Sequence, residues 1–126
     1  MNYISVVLIL AGIVHLIPAK GVLGSDHIVD LYGIGAPNAD LELLLRHRAI
    51  LFALLGAFML LAAFNKFYQP LAVVAGIIST SSFIVLSGFI GKPNGLIARV
   101  VLIDWVAAIL LVVAGLILIY KSINNP

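Results

Sequence analysis

The chain has no cysteine and very little charge, and each scarcity narrows what it can be. Without thiols there is no disulfide, no thiolate nucleophile and no iron–sulfur ligation, while the redox compartment stays open. Charged residues make up 10% of the 126, against about 25% in an ordinary soluble domain. Hydrophobic residues make up 63%, and the mean hydropathy is +1.24. A chain this apolar cannot cover itself with polar surface, so its solvent must largely be lipid. A net charge of +2 spread over so few ionisable groups is no nucleic-acid footprint. The opening MNYISVVLILAGIVHLIPAKG lacks a basic leader and an Ala-x-Ala cleavage site, so it reads as a retained span. Glycine-rich phosphate loops and HExxH are absent too, and Ser, His and Asp do not fall in a hydrolase order.

What is present is apolar length. Four runs stand out, at 3–19, 41–64, 71–90 and 96–120. About 20 apolar residues cross a bilayer core, and helix is the economical form for doing so. Pro18, Pro37, Pro70 and Pro93 fall at or between the run boundaries, where a missing N–H does no harm. Short connections after the second and third runs imply antiparallel neighbours. The fold class expected is all-α: one integral membrane domain over 1–126, an antiparallel bundle of four transmembrane helices, with both termini on one side.

The connection from Lys20 to Asp40 is long enough to hold structure of its own. Within it, SDHIVDLYG puts Ile28, Leu31 and Tyr32 on one side of a helix and Asp26 and Asp30 on the other. Ser25 caps this segment, 25–32, and Gly33 and Gly35 end it. It reads as a short amphipathic helix on the membrane surface or as an ordered loop. As a helix it would cover the mouth of the bundle, with its acids near Lys92 or Arg99. Asn38 or Asp40 caps the second span.

Helices in lipid meet along their small residues, because close backbone approach replaces hydrophobic driving force. On the second span that rule selects Ala49, Ala53, Gly56 and Ala57, with Arg46 and Glu42 on the same stripe and Arg48 about 200° away from Arg46. On the fourth, Asp104 falls with Ala107, Ala108 and Gly115, and Arg99 points elsewhere. The third contributes Ala72, Gly76, Thr80, Ser87 and Gly91, and the first Ser5, Ala11, Gly12 and His15.

Depth adds a second count. Arg48 is 17 residues from Asn65, Ser87 is 17 from Pro70 and Asp104 is 17 from Lys121. At ~1.5 Å per residue all three lie about 25 Å from the terminal-side ends. Arg46 is half a turn further on, and His15 about one turn shallower. Small faces and depth together nominate His15, Arg46, Ser87 and Asp104 as a polar core, with Arg46 and Asp104 in direct contact.

Glu42 and His47 support that group. Trp105, one position after Asp104, is a candidate chamber wall or simply packs. Arg48 and Arg99 are assigned as snorkelling headgroup anchors. No metal or cofactor is expected: His15 and His47 are the only candidate haem pair, His47 is ~100° off the small face, and no Glu-x-x-His motif occurs.

RHRAILFALLGAFMLLAAF, preceded by HLIPAKGVLG and LYGI, resembles a group of small bacterial inner-membrane proteins within the DoxX-like four-helix set. The likeness covers most of the chain, with its specificity at 46–49. Genome labels for that group include phosphopantetheine adenylyltransferase, but that activity belongs to a soluble α/β domain with a His-x-Gly-His motif, neither present here. The resemblance implies the bacterial inner membrane and a link to quinones or a larger redox complex. It carries over no catalytic residue and leaves open whether a reaction is catalysed.

Two functions follow as expectations. One is a buried chamber that binds an amphiphile: a quinone, a fatty acid or a lipid headgroup. The other is an accessory subunit or homo-oligomer presenting Phe52, Leu55 and Met59 to a partner, with Arg48 above them. An Arg–Asp pair that only holds helices in register is the bland alternative. A proton pathway would need polar groups across the whole membrane, and the terminal-side half offers only Ser5 and the serines and threonine at 79–82.

Overall fold

In a computed structural model that describes residues 1–125, every regular element is helical. Helix α1 spans Tyr3–Leu16 and tightens into a 3-10 segment, Ile17–Leu23, where Pro18 withdraws a backbone donor. Helix α2 spans Ser25–Tyr32, α3 Ala39–Ala63, α4 Gln69–Ile90 and α5 Gly95–Asn124. Four helices are long and apolar enough to cross a membrane: Tyr3–Leu23, α3, α4 and α5.

The ends follow from local chemistry. Asn2, Asn38 and Asn94 cap α1, α3 and α5, each side chain accepting a backbone N–H three residues on, at 2.8–2.9 Å. Such a cap contributes ~1 kcal/mol. Helix α4 instead starts with Pro70 in its first turn. Helix α2 begins after Gly24, not with a Ser25 cap, and stops where Gly33 turns left-handed at φ 63°.

Helix α1 is the hub. It packs along α3 and also touches α4 and α5, while α5 lies along α4. The core on the terminal side is dry, built from Ile4, Leu8, Met59, Val73 and Leu111 with alanines between them. Gln69 is buried at its edge, where its amide donates to Ser5 Oγ at 3.3 Å.

Helix α3 is turned differently from the small-residue expectation. Ala49, Gly56 and Ala63 are buried, but so is Met59, and Ala57 is exposed. Phe52 and Leu55 also point inward: Phe52 stacks on His15 at 5.5 Å between ring centroids, and Leu55 packs against the core. Taken from Phe52 at ~100° per residue, Arg48 is about 40° away and Arg46 about 120°. Small residues mark the line of closest approach between α1 and α3. The inward sector of α3 extends past that line toward its larger residues. Phe52, Leu55 and Met59 therefore do not form an outward docking face; Met59 is 0% exposed.

Candidate functional site

At the level where α1 passes into the 3-10 segment, the helices part around a cavity of about 70 Å³. Its polar lining comes from four elements: His15 of α1, Tyr32 of α2, Arg48 of α3 and Asp104 of α5. By the criterion that a water needs roughly 10–15 Å³ of such space, the cavity holds a few waters or the head of a small ligand.

Arg48 is the best-held member. Its guanidinium lies 4.4 Å from the Phe52 centroid, 5.4 Å from Tyr32 and 5.5 Å from Phe83. Its Nη1 donates to the Tyr32 hydroxyl. With one N–H given to Tyr32 and three rings close by, the guanidinium keeps further N–H groups for other partners.

His15 forms the floor. Its Nδ1 lies 2.8 Å from the Ala11 carbonyl oxygen, which can only accept, so Nδ1 carries the hydrogen. Nε2 lies 3.0 Å from Ser79 Oγ, and a neutral ring accepts that hydroxyl. Both ring nitrogens are thus spoken for, and His15 anchors α1 to α4 from the chamber wall.

Asp104 is half-buried on the cavity wall. Among the described residues it has no ion-pair partner within 4 Å, and the one such pair joins Arg46 to Glu42. Two opposite charges thus face one cavity without touching.

The expected site is corrected in four places. Arg46 does not meet Asp104; its Nε lies 3.2 Å from Glu42 Oε1, one turn earlier on α3. That spacing is close enough for an ion pair but not aligned for a hydrogen bond. Its side chain is 43% exposed, because the rotation that brings Phe52 inward carries Arg46 aside. Arg48, assigned to the headgroups, takes the interior place instead. Ser87 lies off the cavity and its hydroxyl donates to the Ile84 carbonyl of its own helix at 2.7 Å. Trp105, 52% exposed, faces outward and does not wall the chamber.

His47 and Arg99 are both exposed, and neither lines the cavity. Asp26 and Asp30 form no ion pair within 4 Å among the described residues. Helix α2 is instead held by Ile28, fully buried, and by Asn94, whose amide donates to the Tyr32 and Gly33 carbonyls at 2.7 and 3.3 Å. Four site residues escaped sequence reasoning: Tyr32, Phe52, Ser79 and Phe83. Tyr32 was marked by its apolar stripe with Ile28 and Leu31; for Ser79 only membership in a polar run pointed inward.

A second hollow adjoins the first. Between α1 and α5 runs an apolar groove of about 300 Å³, from Val7 and Leu110 up to Val14 and Ile103. Val14 and Ile103 also line the polar chamber, so the two spaces lie side by side and share these two residues. Seven residues of helix make the groove about 10 Å long. Leu10, Leu102 and Val106 are half or more exposed along its lips, so it opens sideways. At its far end the Tyr3 hydroxyl donates to the Leu110 carbonyl at 3.3 Å, tying α1 to α5.

Comparison of the chain with protein-family models, with curated proteins and with solved structures found no match.

Proposed function

We propose that this chain is a multi-pass membrane protein that binds an amphiphile, its head in the chamber and its tail in the α1–α5 groove. The observation that carries the reading is the adjacency of the two spaces, which share Val14 and Ile103 in their linings. A polar cavity alone fits a structural water site, and a greasy groove alone fits ordinary lipid contact. A polar end set beside an apolar trough, with the trough open sideways, matches a molecule that is itself polar at one end and apolar along its length.

In this reading the four long helices form an antiparallel bundle with both termini on one side of the membrane. Helix α2 lies at the interface, its Leu31 and Tyr32 roofing the chamber and its two acids turned to water. The ligand enters from the bilayer between α1 and α5, while the Asn94 tether keeps the roof closed. The resemblance to DoxX-like proteins points to a bacterial inner membrane.

The test is native mass spectrometry of the protein released from mild detergent, beside the variant Ala107→Phe. Ala107 forms part of the groove and is 7% exposed, so a phenyl ring there takes space from the tail site while leaving Arg48 and Asp104 in the chain. A bound amphiphile in the parent chain that is lost in the folded variant is the expected result. Equal occupancy in both, or none in either, contradicts the proposal.

A further inference from the structure

We infer that the head this site selects is uncharged and bears a hydroxyl, on a single chain, as in a glycerol monoester. The inference rests on the amphiphile reading and adds the chemistry of the head.

The chamber presents one cation and one carboxylate to the same cavity, more than 4 Å apart. Arg48 offers donors only, and an ionised Asp104 offers acceptors only. A head that satisfies both must accept from one side and donate to the other, which is what a hydroxyl does. The site's own charges already balance, so a neutral head leaves them balanced in a medium where an extra charge is costly.

Other heads fail on one count each. A fatty-acid carboxylate matches Arg48 but sets a second negative charge beside Asp104. A simple ester or a ketone matches Arg48 and leaves Asp104 without a donor. A two-chain phospholipid needs a second groove, and its phosphate head is large for a cavity of about 70 Å³. A swing of the guanidinium to cover Asp104 would give up its contacts with the three rings around it.

The experiment is a competition at pH 8 between three probes with the same 18-carbon chain: 1-monooleoylglycerol, methyl oleate and oleate. Equimolar probes are added to delipidated protein in detergent and the adducts are read by native mass spectrometry. The monooleoylglycerol adduct should exceed each of the others by roughly tenfold, about the worth of one charge-assisted hydrogen bond. In Asp104→Leu the advantage over methyl oleate should fall to about twofold or less, since the acceptor is gone. Asp104→Asn, nearly the same shape, guards against misfolding; there the oleate share should rise because the repulsion is removed.

Oleate as the dominant adduct of the parent chain overturns the inference. So does an even mixture, or a preference that persists in Asp104→Leu. Those outcomes leave amphiphile binding standing, whereas no adduct with any probe overturns both.

Discussion

His15 and Ser79 join α1 to α4 inside the molecule, with ring Nε2 3.0 Å from the serine oxygen. Because Nδ1 is committed to the Ala11 carbonyl, losing Ser79 strands Nε2. Interhelical hydrogen bonds of this kind in membranes average ~0.6 kcal/mol and reach ~1.7. Ser79→Ala should therefore lower thermal stability in detergent by an amount in that range. Ser87→Ala, whose hydroxyl serves only its own helix, should be close to neutral. Equal effects would mean that the His15–Ser79 link carries no weight.

Gly12 and Gly56 set the closest helix approach. A Cβ on Gly56 would stand 2.8 Å from the Gly12 carbonyl oxygen, and one on Gly12 3.0 Å from that of Gly56. A carbonyl oxygen is fixed by its helix, so the helices themselves must part. Gly56→Ala should cost ~1–3 kcal/mol, in line with overpacked cores. At Gly76 the added carbon meets the Met59 methyl at 2.7 Å and a Leu111 methyl at 2.9 Å, side-chain ends that can turn away. Gly76→Ala should be milder, and Gly88→Ala, with nothing within 4 Å, harmless. Thermal unfolding of the three variants in one detergent ranks them; a Gly88 variant as weak as Gly56 contradicts this packing.

Much of the architecture was legible because it follows from one-dimensional rules. Hydropathy and the prolines located the four long helices to within a few residues, and Gly33 ended α2 where a left-handed residue was needed. Depth counting served in part: it put Arg48, Ser87 and Asp104 level, and Arg48 and Asp104 line the cavity while Ser87 does not. Rotation was not. The small-residue rule finds where two backbones touch, and α3 meets α1 at Gly56 and the 3-10 segment at Ala49 while turning Arg48, Phe52 and Met59 toward the interior. That choice depends on a third and fourth helix, which no pattern within α3 records. Ser79 was missed for a related reason. It lies 9 residues from Pro70 and His15 lies 13 from Asn2, so equal-depth counting separated two groups that the side chains bridge.

The roof over the chamber is held by a hydrogen-bonded tether, not by surface charge. Asn94→Ala also removes the α5 cap, so the informative readout is local. Amide exchange across 25–33 should speed up well beyond that of the first turn of α5. Asp26→Ala and Asp30→Ala should leave exchange there unchanged, since neither acid pairs within 4 Å among the described residues. Protection lost in the acid variants and kept in Asn94→Ala would show that charge holds α2 down.

The central claim is that Arg48, and not Arg46, shares a cavity with Asp104, and that this cavity takes the head of the proposed amphiphile. Its most direct measurement is the occupancy of co-purified amphiphile in Arg48→Leu and Arg46→Leu, read by native mass spectrometry under one extraction protocol. Arg46 is paired with Glu42 away from the cavity, so Arg46→Leu should keep the parent occupancy. Arg48→Leu removes the guanidinium that three rings hold at the chamber wall, and occupancy should fall by roughly tenfold or more, the worth of a hydrogen bond to a charged group. Loss of amphiphile in Arg46→Leu, with Arg48→Leu still loaded, would contradict it.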